Sequence, residues 1–440
     1  MGAMMLTKKQ TGGDTSNLPT LWQQTASPSP KTTPLGGDSS TDIAIIGGGL
    51  SGLSAALHLS EAAIPSLLLE AGRIGDGASG ANTGWWVPGL ALLDAATLDA
   101  RLGPERADAL RVELAASARS IPELVRRHRV MCDLSTRGVL YAASTPKTLA
   151  KISREAERWA AAGSAIDVVG QAAMPGHLAT DHYIGGVLYA DGGTLNPLAF
   201  CNGLAAAAIA QGALIHTCSP AIGIARERDG WRVDTARGSV RARAVLLATG
   251  ASPQSPWPAA RNARYRLKIA MVASAPFADH GRSILPSGVP FTDMDSFDTL
   301  GGAFDPAGRL VMSILPGTST RPRPADLAAP YWRKFRQIFP QAPADPGWEF
   351  GWFGHEAVPP GRMASIHEPE PGLFVLQGYA GNGINQAIHF GRAIARSMAS
   401  GDRDAIEIGL TPLRPARGAT IASALANRLL LPLARTLVYR

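Results

Sequence analysis

The apolar positions of the chain change period several times, and those changes lay out the elements. "DIAIIGG" (42–48) is a short β-branched run that ends in glycines, the pattern of a buried strand entering a tight turn. "LSGLSAALHLSEA" (50–62) then repeats at helical spacing, and "PSLLLEA" (65–71) is a second apolar strand closed by Glu70. Strand, Gly-rich turn, helix and strand make a βαβ unit of about 30 residues. Residues 105–130 and 147–162, rich in Ala, Leu, Arg and Glu, read as helices. An Ala-rich helix spans 196–216 and opens on Asn196-Pro197, with proline in its first turn. Short strands from 213 to 250 form a β-meander whose last strand, "AVLLATG", is wholly apolar and so buried. From 255 to 350 many Pro, Phe, Trp and Asp stand among short alternating runs, the texture of a mainly antiparallel sheet. From 372, "GLFVLQGYAGNGINQAIHFGRAIARSMAS" is again strand, Gly-rich turn and helix.

Two strand–glycine–helix units therefore stand at opposite ends of the chain, with a β-rich insertion between them. The pattern predicts an α/β (α+β) fold, a Rossmann-like nucleotide domain interrupted by a mainly antiparallel β substrate domain. The nucleotide domain is expected from 41–100, 165–260 and 352–405, and the substrate domain from 101–164 and 261–351. Residues 1–40, rich in Thr, Ser, Pro, Gly and Lys, form a disordered or extended leader, and 406–440 a basic C-terminal helix.

Composition narrows the class. With 440 residues, 45% of them apolar and 18% charged, the chain is an ordinary globular protein. Of the formal net charge of +7, the segment 411–440 supplies +5 through Arg414, Arg417, Arg428, Arg435 and Arg440, with no acid. The rest is nearly balanced, which excludes a nucleic-acid-binding surface. The tail "IASALANRLLLPLARTLVYR" has two readings, a terminal helix packing its Leu face on the body or a basic helix on a membrane surface. No run of about 18 uninterrupted apolar residues occurs, so no integral membrane segment is expected. Cys132, Cys201 and Cys218 are few and not in metal spacing, which favours a reducing compartment and a cytoplasmic protein without a metal site.

Gly47, Gly49 and Gly52 form GxGxxG directly after a strand and at the mouth of a helix. The first glycine permits the turn, the second lets a pyrophosphate approach the backbone, and the third lets helix and strand pack closely. The helix N-terminus, with Leu50 and Ser51, offers N–H groups and positive dipole to the phosphates. Glu70 ends the second strand, where an acid bonds a ribose hydroxyl and disfavours a 2′-phosphate. "EAGRIGDGASGANTGWW" follows, with Gly75, Gly77, Gly80 and Gly84 among small residues. Such a loop has little side-chain bulk and can lie flat under a large planar group.

The first unit with this loop, together with "GLFVLQGYAGNGINQAIHFGRAIA", resembles the D-amino-acid oxidase (DAO) superfamily of FAD-dependent oxidoreductases. It is nearest the gamma-glutamylputrescine oxidase and glycine/sarcosine oxidase branch, and "LWQQTASPSP" before the first strand is similar to the former. The likeness runs from 41 to 400 and is weakest over 255–350. It implies an FAD-binding domain of the glutathione-reductase type. By it, Gly47, Gly49 and Gly52 hold the FAD pyrophosphate and Glu70, next to Ala71, holds the adenosine ribose. Arg73, Ser79, Asn82, Thr83, Gly84 and Trp85 lie along pyrophosphate and flavin. Ala221 meets adenine through its backbone, and Ala248, Thr249 and Gly250 form the turn beside the cofactor. Gly378, Tyr379, Gly381, Asn382, Gly383 and Ile384 close over the ribityl chain and pyrimidine edge, with a second helix N-terminus there.

The departures are informative. The family loop "SGRNGG" is here Ser79-Gly80-Ala81-Asn82-Thr83-Gly84, and "GHG" has become Gly381-Asn382-Gly383. Asn385 stands where amino-acid oxidases of the branch place a basic partner for the substrate carboxylate. No cysteine lies in the C-terminal segment and Trp85 replaces a histidine that carries FAD in some relatives, so non-covalent FAD is expected. A buried carboxylate without a cation is costly, so an amine lacking an α-carboxylate fits better. Trp85, Trp86 and Tyr379 are candidate substrate contacts, the tryptophans through stacking on a cation or ring. Their plain alternative is core packing or a cofactor lid. Lys268 is the candidate catalytic residue, because related oxidases use a lysine near the flavin to assist oxygen reduction. A structural lysine with a buried stem is its plain alternative. His355 and His389 carry no assignment.

The expected function is an FAD-dependent amine oxidoreductase, with O2 or another acceptor reoxidising the flavin. An amino-acid oxidase or dehydrogenase is the alternative among enzymes, and a flavin-binding protein without turnover the alternative outside them.

Overall fold

A computed structural model describes residues 20–438 apart from 92, 297–299 and 320–322. Strands are numbered in chain order. β1 (Ser39–Ile46) is central in the first sheet, because the last four residues of its apolar run are buried on both faces. It lies parallel to β2 (Ser66–Leu69) on one side and β11 (Gly238–Leu247) on the other. β8 (Leu214–His216) extends the parallel order beyond β2, and β18 (Leu373–Gln377) extends it beyond β11. β17 (Ser365–Glu370) runs antiparallel at the edge, and β9 (Gly223–Glu227) and β10 (Gly230–Thr235) form the expected meander with β11.

Alternation along β1 divides the core. Ile43 and Ile45 join a cluster with Leu53, Leu57, Phe200 and Phe390, from the helices Leu50–Glu61, Pro197–Ala210 and Gly383–Ser400. Ala44 and Ile46 face the other way, into a cluster with Trp231 and Val233 of the meander. A period of two thus puts helices on one face and the meander on the other.

The second sheet has the order β16-β12-β15-β14-β13-β4-β6-β5. Its strands are β4 (Val139–Ala143), β5 (Ile166–Gly170), β6 (Gly185–Tyr189), β12 (Tyr265–Pro276), β13 (Phe291–Asp293), β14 (Gly301–Phe304), β15 (Arg309–Ile314) and β16 (Trp348–Val358). All pairs are antiparallel except β13 with β4. β3 (Trp85–Trp86) and β7 (Gly193–Thr194) form a separate two-stranded ribbon.

Three boundaries depart from the sequence expectation. β5 and β6 belong to the second sheet, so 165–190 leaves the nucleotide domain, and so does β16, which moves its last segment to 365. An apolar run states that it is buried but not in which sheet, and here pairing decides. Within the leader, residues 20–40 pack on the body: Thr20 and Gln23 make a reciprocal capping box, and Trp22 buries its indole edge-on to Trp352. Residues 1–19 lie outside those described. The C-terminal helix Ala419–Val438 does not bury its leucines: Leu425, Leu429, Leu433 and Leu437 face outward. It is also long and apolar enough, by length and composition, to cross a membrane, despite Arg428 and Arg435.

Candidate functional site

The two glycine turns meet. Gly47 follows β1 with φ +118°, a left-handed conformation open to glycine. A Cβ there would stand 2.5 Å from the carbonyl oxygen of Ala248, so the turn Ala248-Thr249-Gly250 seals against it. At Gly52 a Cβ would come within 2.0 Å of the Gly47 oxygen, which is why the helix packs so closely on its turn. Gly49 caps the helix Leu50–Glu61 without a side chain of its own. Ser79 supplies the acceptor, its Oγ taking the Leu50 N–H at 3.0 Å. The flat loop therefore folds directly over the helix N-terminus, within 2.7 Å of where a Gly49 Cβ would be.

From the far end of the chain, Tyr379 reaches the same helix. Its hydroxyl shares a short hydrogen bond with Ser51 across 328 residues, and its ring stacks on Phe390 at an interplanar angle of 7°. Burial pushes its phenol well up. Tyr379 is thus tied through Ser51 to the helix that the first glycine turn opens. Asn382 begins the helix Gly383–Ser400 with no side-chain cap bond and donates instead to the Gly89 carbonyl at 2.9 Å. Ile384 is buried behind it. Both glycine turns thus open helices, each with partial positive charge at its N-terminus, and the Ser51–Tyr379 bond links the two turns.

Glu70 accepts the Gly48 N–H at 2.6 Å and the Gly72 N–H at 2.7 Å, one on each oxygen. Burial raises its carboxyl, against those bonds. The segment carrying Ala221 follows immediately: Ser219 N–H donates to the Glu70 carbonyl and Cys218 N–H to that of Gly72. Asn82 organises the loop, donating to the Ser79 carbonyl and accepting the Gly84 N–H, while Trp22 donates to its carbonyl at 2.7 Å. Arg73 and Ala71 are exposed, and Arg73 lies near Asp76. Thr83 is partly exposed on the same loop.

The set fits a dinucleotide. The glycine cradle has no room for side chains, the helix N-termini offer N–H groups, and Glu70 keeps free lone pairs for a ribose. The Trp85 indole N–H is buried and has no protein partner, a donor left for a ligand. Trp86 is buried at 2% exposure, also with an unpaired N–H, and packs in the core cluster.

On the second sheet, alternation sorts the candidates. Trp352 donates its indole N–H to the Ala81 carbonyl at 2.9 Å, so this face of β16 looks at the loop. Glu356, four residues on, shares that face and accepts the Gly381 N–H. Desolvation pushes its carboxyl above the usual range. Lys268 pairs with His355 in register, on the opposite face, and its ammonium lies 3.6 Å from the centre of the Phe353 ring. Lys268 therefore stands on the sheet face opposite Trp352 and Glu356, and its approach to the flavin stays an expectation. Asn385, which stands where relatives carry a basic residue, donates to the Leu114 carbonyl in the helix Pro104–Arg127. His389 contacts Glu407 at 3.1 Å within the core.

Sequence reasoning missed Glu356 and Tyr141. Tyr141, on β4, has its ring 5.0 Å from that of Tyr189, and burial raises its phenol while the neighbouring Asn382 side chain opposes that rise. The only signal was alternation itself, which places Glu356 with Trp352 once the register is known.

A family model described as FAD dependent oxidoreductase, DAO, matches residues 42–397. The chain is 28% identical over 364 residues to gamma-glutamylputrescine oxidoreductase of Escherichia coli, covering 81% of this chain and 83% of that protein. It is 25% identical to glycine oxidase of Geobacillus kaustophilus, covering 78% and 89%. The crystal structure of that glycine oxidase superposes with a TM-score of 0.66 at 21% identity over 82% of this chain and 95% of the other. L-proline dehydrogenase from P. horikoshii gives 0.68 at 17% identity over 84% and 95%. With the cradle, the acid and the matched span in agreement, the chain belongs to the DAO family of FAD-dependent oxidoreductases.

Proposed function

We propose that the protein oxidises an amine that carries no α-carboxylate, at a site bounded by Glu356, Tyr141, Trp85 and the turn Gly381-Asn382. The observation that carries this reading is Glu356: a desolvated carboxylate on the cleft-facing side of β16, tied to the turn by the Gly381 N–H. A carboxylate there repels a substrate carboxylate and attracts an ammonium. The nearby buried guanidinium, Arg264, is occupied by the carbonyls of Ala260 and Ser252 and by Gln377.

Bound FAD supplies a two-electron acceptor for hydride from the carbon bearing the nitrogen. The chain's own residues do the rest. Glu356 pairs with the incoming ammonium, and its raised pKa suits it to take the proton that the nitrogen must lose before its C–H becomes hydridic. Trp85 and Tyr141 wall the cleft and exclude water. Glycine cradle, Ser79, Glu70 and the two helix N-termini hold the cofactor without a covalent link. The oxidised product is an iminium, hydrolysed by water to a carbonyl compound and an amine; O2 or another acceptor takes the electrons. Three free cysteines support a cytoplasmic setting.

The relatives named glycine oxidase keep an amino-acid substrate as the second reading. Anaerobic mixing of the yellow protein with paired amines, each with and without an α-carboxylate, separates the two. The flavin band bleaches with the amines. Bleaching by the carboxylate-bearing members alone overturns the proposal.

A further inference from the structure

The helix Ala419–Val438 is held to the body along its polar side, with Ala419 and Pro432 buried and Val438 packed against the core of the second sheet. Ser423 Oγ accepts the Arg266 N–H at 2.9 Å, Asn427 Oδ1 accepts the Lys268 N–H at 2.7 Å, and Asn427 Nδ2 donates to the Arg266 carbonyl at 2.8 Å. These groups lie on the edge of β12 that β15 leaves uncovered, since β15 pairs only from Ala270 onward. Four helical residues rise about 6.0 Å and two strand residues about 6.7 Å, so an i, i+4 pair of side chains matches an i, i+2 pair of backbone groups. The helix stands in for a strand. Arg435 completes the attachment, donating to the carbonyls of Leu315, Asp326 and Leu327.

The other side is apolar and bare. Ile421, Leu425, Leu429, Leu430, Leu433 and Leu437 are between 48% and 77% exposed. An α-helix advances about 100° per residue, so a four-residue spacing drifts about 40° per step. The π turn Ala426–Leu430 unwinds the middle of the helix and offsets that drift. The leucines thus form one broad strip. Arg428 is exposed between them, Arg414 and Arg417 precede the helix, and 411–440 holds no acid.

We propose that this strip is a membrane-surface helix that lies in the interface of an anionic bilayer, with the catalytic body above it. Broad apolar arc, flanking arginines and absence of acids are the chemistry of such a helix. Spanning is disfavoured because Ser423, Asn427 and Arg435 hold the inner side to the body. Self-association as a coiled coil is disfavoured because the spacing of four departs from the seam of about 3.5.

The test is flotation of the full-length holoprotein with phosphatidylcholine vesicles, with and without phosphatidylglycerol. The protein floats with the anionic vesicles, about tenfold less with the neutral ones, and is released by salt. Leu425→Asp/Leu429→Asp/Leu433→Asp lowers flotation at least about tenfold while keeping its flavin spectrum. Should that variant misfold, Arg414→Glu/Arg417→Glu/Arg428→Glu keeps the apolar strip and loses the preference for phosphatidylglycerol. The proposal is overturned if wild type stays in solution with both vesicles, or if both variants float as wild type does. It is also overturned if wild type is a dimer that the leucine variant splits, with no vesicle binding; a second copy then covers the strip.

Discussion

On the proposed reading, Glu356 concentrates the chemistry of the site in one carboxyl group. Its pKa is raised, chiefly by desolvation and against the Gly381 N–H bond. A raised carboxylate pKa means that the folded protein disfavours the charged form. Its ionisation therefore costs stability as pH rises through the folded pKa, and that cost is absent at lower pH. Pairing with an ammonium needs the charged form, so on the proposed reading kcat/KM rises with pH through an ionisation above about 4.3, the ordinary glutamate value. Glu356→Gln keeps the acceptor for Gly381 and removes the charge. It should lower kcat/KM for amines by about a hundredfold, abolish that acidic limb, and raise the thermal midpoint at neutral pH. A pH–rate profile beside a melting curve checks all three. Loss of activity together with loss of stability would assign Glu356 a purely structural role.

At the scale of elements, what the sequence disclosed depended on how locally each signal was encoded. The βαβ unit, the cradle and Glu70 were legible because strand, turn and helix are contiguous there and each residue has a backbone reason. The second glycine turn was legible on the same grounds. Lys268 and Glu356 were not, because their facing depends on the register of β12 against β16, a long-range property. The segment Leu21–Thr25 was hidden by its polar surroundings, although Trp22 is almost fully buried and bonded to the loop through Asn82. Removing that indole empties a core site and frees the loop. Trp22→Ala should therefore cost about 3–5 kcal/mol in chemical unfolding and weaken FAD retention, read as the ratio of visible to ultraviolet absorbance after dialysis. An unchanged ratio would separate the segment from the cofactor loop. The C-terminal helix kept two readings for another reason: amphipathicity shows that one face seeks an apolar environment, not which environment that is.

On the scale of the whole molecule, the proposed site is drawn from two sheets. The first contributes the cradle and the acid, and the second contributes Glu356 and Tyr141. The one bond from Ser51 to Tyr379 closes a loop of 328 residues around the substrate domain. A ribosome delivers the chain from its N-terminus, at about 5–20 residues per second. The cradle is thus synthesised long before the turn that completes it, and waits without its lid. Flavin capture should begin only after residue 384 has left the exit tunnel, however much FAD surrounds the nascent chain. Translation in vitro with timed release, followed by flavin fluorescence quenching, would show a lag of about 20–80 seconds. Stalled chains that end before the second turn should stay colourless, so the arrival of colour reports that the two ends of the message have been read.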